Sequence, residues 1–141
     1  MIYLDTSIAI GLFVPEAKTA VIEAWFSACV EPLVSADWIA TEFASALSLK
    51  ERRKDLAATD AQAAWREFEL FWENGGLRLG PVSREAFQAA AYLTRDASSG
   101  LRSGDSLHLA MALEIGVSAV ATGDGVLGIN ARRHGLAVIT F

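Results

Sequence analysis

Strand-sized apolar runs alternate along this chain with longer segments of helical spacing, and that alternation restricts the fold more than any other feature. Ile2-Tyr3-Leu4, Leu33-Val34-Ser35, Leu77-Arg78-Leu79, Val117 to Ala121 and Ala137-Val138-Ile139 read as short strands. The spacing predicts helices from Pro15 to Cys29, from about Asp37 to Lys54, from Thr59 to about Asn74, from Ser83 to near Asp96, from Ser103 to Gly116 and from about Val126 to His134. Strands separated by helices imply βαβ crossovers, so the expected class is α/β, with a largely parallel sheet covered on both faces.

Local signals set the expected ends. Pro15 suits a first helical turn, Thr59 with Gln62 reads as a capping box, and Ser83 and Ser103 are N-cap candidates. Gly75-Gly76, Gly116 and Gly135 read as helix stops. The 141 residues suit one domain spanning 1–141, and with 52% hydrophobic residues they can bury a single core.

The first strand ends on a carboxylate, Asp5. Ligands of open α/β sheets collect beyond the carboxyl ends of the strands, so an acid there faces a site. Asp124 follows the strand that ends at Ala121 in the same way. Glu42 lies about one turn into the helix after the second strand, and Asp105 lies in the first turn of the helix opening at Ser103. In a βαβ fold both helix starts point to that same edge, so four acids distant in sequence can converge.

Convergence has an electrostatic cost. At roughly 5 Å and an effective dielectric of about 20, each like-charged pair repels by about 3 kcal/mol. Either some groups stay protonated or a divalent cation sits among them, and an all-oxygen, thiol-free set suits Mg²⁺ or Mn²⁺. Each acid also has a plainer explanation. Asp5 could cap a turn, Asp124 could form an Asx turn with Gly125, Asp105 could complement a helix dipole, and Glu42 could be solvated surface.

A net charge of −5 argues against a nucleic-acid binder that relies on a basic surface, although bound cations can reverse the local field. Cys29, the only cysteine, excludes an internal disulfide and reads as a small core filler. No basic leader precedes Asp5, and the apolar run Ile8 to Val14 is too short to span a bilayer, so the expected location is cytoplasmic with no membrane partner. Of the two histidines, His108 reads as packing or local bonding and His134 as a helix-end contact; neither is assigned to catalysis.

Ile2-Tyr3-Leu4-Asp5-Thr6-Ser7, Glu42, Arg102-Ser103-Gly104-Asp105-Ser106-Leu107-His108-Leu109-Ala110 and Ala121-Thr122-Gly123-Asp124 together resemble a PIN domain, most closely the VapC-type toxins of bacterial toxin–antitoxin pairs. The resemblance spans essentially the whole chain. It implies a three-layer α/β/α fold with a central, mostly parallel sheet of about five short strands. It also implies a metal-dependent endoribonuclease that hydrolyses RNA phosphodiester bonds by metal-activated water. Asp5, Glu42, Asp105 and Asp124 match the family's acidic positions and would be both catalytic and metal-binding; Thr6, Ser7 and Thr122 match supporting hydroxyl positions.

Arg95, Arg102, Arg132 and Arg133 could contribute phosphate contacts, as could the cluster Lys50, Arg52, Arg53 and Lys54, which reads as well as ordinary helix-end charge; Arg102, in the loop before Asp105, is the better-placed RNA-contact candidate. The implied partners are RNA, a cognate VapB-type antitoxin and a second copy in a homodimer. Aromatic stripes on Trp65, Phe68, Phe71 and Trp72, and on Trp25 and Phe26, suit either core packing or a partner's groove. The competing functional classes are a non-catalytic interaction module on the same fold and a small-molecule phosphohydrolase with a strand-end Asp. The latter lacks its second Asp, since Ser7 stands there.

Overall fold

The computed structural model describes residues Met1–Phe141. Five parallel strands, β1 (Ile2–Leu4), β2 (Leu33–Ala36), β3 (Arg78–Gly80), β4 (Ala119–Ala121) and β5 (Ala137–Ile139), form one sheet in the order β3-β2-β1-β4-β5. The middle strand is β1, registered Ile2 to Leu33 on one side and Ile2 to Ala119 on the other. Chain direction therefore runs outward from β1 through β2 to β3, then crosses back to β4. A crevice opens at such a reversal, beyond the carboxyl ends of β1 and β4.

The helices are α1 (Thr6–Phe13), α2 (Thr19–Ala28), α3 (Trp38–Arg52), α4 (Ala58–Glu73), α5 (Arg84–Thr94), α6 (Ser103–Ile115) and α7 (Gly125–Arg133). Side chains alternate across the sheet with the two-residue period of a strand. Ile2, Leu4, Leu33, Ala119 and Ala121 pack on one face with Ile8, Ile22, Phe43 and Phe68 from α1 to α4. Tyr3, Val34, Ala36 and Val120 pack on the other with Leu107, Met111 and Leu127 from α6 and α7, and with Ala86 and Ala90 from α5. The result is the expected three-layer α/β/α arrangement.

Several expected boundaries are corrected. No helix was expected over Thr6–Phe13, because Ile8, Ala9, Ile10 and Gly11 are all buried and the segment has no polar face to mark a period. Pro15 lies between α1 and α2, not in a first turn. At Gly11 a side chain would run into the Ile22 side chain, so the glycine is what lets α1 and α2 lie this close. The capping box at Thr59 and Gln62 is absent: α4 already begins at Ala58, after Ala57, with no side-chain cap. Its register follows Ala61, Ala64 and Phe68, which fill the core. Ser103 is the first residue of α6 rather than its cap; Arg102 holds the extended cap position and contributes no side-chain cap. Ser83 does cap α5, accepting from the Ala86 amide at 2.8 Å.

The aromatic stripes are largely core. Phe43 stacks on Phe68 with centroids 4.1 Å apart, and Phe13, Trp65, Phe71 and Trp72 close round them. Trp25 packs on Phe141, and Phe26 on Phe71. Cys29 is a partly exposed residue at the rim of this core. No helix is long and apolar enough to cross a membrane.

Candidate metal centre

Asp5 leaves β1 at the crevice, and its backbone amide extends the ladder to the Ala121 carbonyl at 3.1 Å. Asp5 is 5% exposed. Its Oδ2 accepts from Ser7 Oγ at 2.6 Å and from Thr122 Oγ1 at 2.7 Å. Ser7 Oγ in turn accepts from the Gly123 amide, and Thr122 Oγ1 from the Asp124 amide. One oxygen of Asp5 is thus locked by the first turn of α1 and the residue after β4 together, while Oδ1 accepts no hydrogen bond.

Glu42 repeats the pattern from α3. Its Oε2 accepts from Thr6 Oγ1 at 2.6 Å and bonds His108 Nε2 at 2.5 Å, leaving Oε1 without a donor. Gly104 brings the α6 backbone against that free oxygen: a Cβ there would collide with Oε1. The buried indole N–H of Trp38 faces the same corner without reaching a hydrogen-bond partner. Burial raises the Glu42 carboxyl, but the His108 bond and charge, with the Thr6 bond and the nearby Trp38 indole N–H, outweigh it and hold it below the usual range, even though the indole falls outside strict hydrogen-bond geometry.

Asp105 and Asp124 line a cleft of about 530 Å³ together with Glu42, Arg102 and Gly104. Asp124 also caps α7, its Oδ1 accepting from the Leu127 amide at 2.8 Å, so the plainer role and the site position coexist. Asp105 is pushed above the usual carboxylate range, first by burial, then by Asp124, with Asp5 and Glu42 adding. All four acids therefore share one electrostatic environment. Ligand atoms of Asp5 and Glu42 also fall, with His108, within 4.8 Å of one another, whereas Asp105 and Asp124 lie outside that tightest group.

A raised carboxyl pKa means that ionising Asp105 is harder in the folded chain than in the unfolded one. That destabilisation is absent well below about pH 4, where the group is protonated in both states; it grows as pH rises past the unfolded value and is complete above the folded one. Asp105→Asn is accordingly expected to raise the cation-free melting temperature at pH 7 and leave it unchanged at pH 3. Thermal melts at the two pH values check this.

His108 was not expected here. It is 1% exposed, and its partners are Glu42, Thr6 and Tyr3, not Asp105 one turn away. Burial lowers the imidazole pKa, but the Glu42 bond and the charges of Asp5, Glu42 and Asp105 reverse this and raise it. Its sequence signal is weak but physical: a histidine inside the apolar run of α6 and a tyrosine inside β1 both need polar partners once buried.

The other basic candidates are placed elsewhere. Lys50 pairs with Glu16, and Arg52 bonds Ser48, about 12 Å or more along α3 from Glu42. His134 bonds the Asn130 carbonyl at 2.9 Å at the far end of α7. Only Arg102 lines the acidic cleft. Beside it, between α5 and α6, runs a groove of about 490 Å³ lined by Trp38, Phe87, Ala90, Ala91, Arg95 and Leu107.

The donor set fits a hard divalent cation. Two fixed carboxylates each offer one free oxygen, two further carboxylates stand close, and no thiol is present.

A family model described as the PIN domain matches residues 2–129. Ribonuclease VapC45 of Mycobacterium tuberculosis is 28% identical over 116 residues, covering 82% of this chain and 77% of that protein. Among solved structures, Mycobacterium tuberculosis VapC20, a sarcin–ricin loop cleaving toxin, matches over 100% of both chains with a TM-score of 0.76 and 17% identity. A toxin–antitoxin complex from Klebsiella pneumoniae matches over 99% of this chain and 97% of that one, with a TM-score of 0.64 and 13% identity.

Proposed function

The chain belongs to the PIN-domain family, and on that footing we propose that it is a Mg²⁺- or Mn²⁺-dependent endoribonuclease, the toxin of a VapBC-type toxin–antitoxin pair. The observation that carries this is the pair of half-engaged carboxylates. Asp5 and Glu42 each have one oxygen pinned by protein donors and one left free, and Asp105 stands in their field. A cation placed among these free oxygens would offset the mutual repulsion that gathering the acids creates.

Asp5, Glu42 and Asp105 would hold the cation, with Asp124 joining directly or through water. When bound, a divalent cation eases deprotonation of water and neutralises charge that develops on phosphoryl oxygens during in-line attack. The chain's own residues do the rest. Ser7 and Thr122 orient Asp5, Thr6 orients Glu42, and Arg102 with the amino end of α6 offers positive charge to an RNA phosphate across the cleft. Hydrolysis by water leaves 5′-phosphate and 3′-hydroxyl ends.

The antitoxin would cover the apolar groove between α5 and α6, whose wall at Trp38 is shared with the Glu42 corner. A homodimer and a cytoplasmic setting belong to the same reading. The name of the VapC45 relative supports the ribonuclease assignment, and the Klebsiella complex supports an antitoxin.

An end-mapped digest of total cellular RNA with purified, antitoxin-free protein tests the proposal. Discrete cuts that need Mg²⁺ or Mn²⁺ are expected. A protein that cuts no RNA with either ion is a binding module on this fold, and the ribonuclease reading fails.

Gly104→Ala offers a second test. Alanine favours a helix over glycine by about 1 kcal/mol, but the atom it meets is Oε1 of Glu42, whose bonds to Thr6 and His108 must yield, so the two effects oppose and the melting temperature should move by only about a few degrees. Glu42 is nevertheless displaced. Cation affinity is expected to fall roughly tenfold or more, measured by Mn²⁺ titration alongside a thermal melt.

A further inference from the structure

His108 presents a choice that the acidic set alone does not settle. Its Nε2 lies within the tightest ligand group with Asp5 and Glu42, a spacing that would suit an ion ligated by a histidine and two carboxylates. Both ring nitrogens, however, are already engaged. Nε2 bonds Glu42 Oε2 at 2.5 Å and sits 3.2 Å from Thr6 Oγ1, while Nδ1 lies 2.8 Å from the Tyr3 hydroxyl. Asp5 Oδ1, at 3.7 Å, is outside hydrogen-bond reach and stays free.

The second link in this chain is equally enclosed. Tyr3 is fully buried, its ring lies edge-on to the imidazole at 5.6 Å, and its oxygen accepts from the Ala36 amide at the end of β2 at 3.3 Å. Burial pushes the Tyr3 hydroxyl pKa up, so the phenol keeps its proton. With Ala36 N–H directed at the oxygen, that proton is available to Nδ1, which leaves Nε2–H to face the Glu42 carboxylate. A line of hydrogen bonds thus runs from the sheet through α6 to α3.

Resting on the cation-site reading above, we propose that His108 is a positioning residue and not a ligand: oriented by Tyr3, it pins Oε2 of Glu42 so that Oε1 is presented to the cation. Metal-binding histidines usually donate their second nitrogen to an orienting partner. Here the same device is turned round, with the histidine serving as the orienting partner of a ligating carboxylate. Thr6 alone would give Oε2 of Glu42 one donor and leave the side chain free to swing; with His108 that same oxygen is held from two directions, from α1 and from α6.

The test is a double-mutant cycle read as Mn²⁺ affinity of the full chain, by electron paramagnetic resonance of free Mn²⁺, with no RNA present. His108→Leu keeps much of the volume and removes the donor; it is expected to weaken Mn²⁺ binding about tenfold, within the range for removing an outer partner. His108→Gln keeps an amide donor near the Nε2 position and should recover most of that loss. Tyr3→Phe, which removes only the hydroxyl, should weaken binding about threefold.

Against a Glu42→Gln background, His108→Leu should cost nothing more, because its effect runs through Glu42. A further tenfold loss in that background would make His108 a ligand and overturn the proposal, as would unchanged affinity in folded His108→Leu or a wild type that takes up no Mn²⁺. Should His108→Leu not fold, the same cycle is run with Tyr3→Phe, whose threefold loss must vanish beside Glu42→Gln. Since no cleavage is scored, a protein that binds Mn²⁺ and obeys the cycle but cuts no RNA defeats the ribonuclease reading and leaves this one standing.

Discussion

Asp5→Asn is expected to abolish cation-dependent RNA cleavage, by a factor of about a thousand or more, with the fold intact. The side chain is nearly the same size, and its remaining oxygen can still accept from Ser7 and Thr122. What changes is the free position. An amide N–H₂ replaces Oδ1, so a ligand becomes a donor that repels a cation. Loss of a few kcal/mol of charge stabilisation at a phosphoryl centre corresponds to roughly three powers of ten in rate. Mn²⁺ titration, a cleavage assay and circular dichroism on one preparation separate the effects. Retained cleavage by a well-folded Asp5→Asn protein would remove Asp5 from the centre.

Phe43→Ala should produce the largest loss of stability from a single side chain near the site, about 3–5 kcal/mol. Phe43 is wholly buried and stacked on Phe68, with Phe13 and Trp65 on its other sides, so three aromatic rings lose a common neighbour. For a chain of this length the melting temperature should fall by about 10 °C or more. Phe43 follows Glu42 on α3, and its ring is the wedge that seats that turn against α4. Cation affinity should therefore drop even below the melting point. A melt within 2–3 °C of wild type would mean that α3 is seated by other contacts.

Much of this arrangement was visible in the amino-acid order. A strand that stops on Asp5 and another followed by Asp124 announce a crevice, because parallel strands can end only at a common edge. Glu42 and Asp105 could be assigned to that edge from the direction of their helices alone. Hidden features have physical reasons. Helix α1 has no polar face because α2, α3 and α4 enclose it, so amphipathic spacing never arises. The starts of α4 and α6 follow core packing rather than the hydroxyls of Thr59 and Ser103. The link between Tyr3, His108 and Glu42 joins β1, α6 and α3 through side chains alone, and no local pattern encodes a partner a hundred residues away.

The acids that meet at the crevice are drawn from residues 5, 42, 105 and 124, which makes the centre a property of the finished chain. During synthesis, at about 5–20 residues per second, a ribosome-bound fragment ending before β4 carries Asp5, Glu42 and Asp105 but has neither Thr122 to brace the first nor Asp124 to complete the set. A site divided in this way cannot be assembled until residues 122 and 124 have joined the sheet, so its capacity to hold a cation arrives only when β4 has seated beside β1.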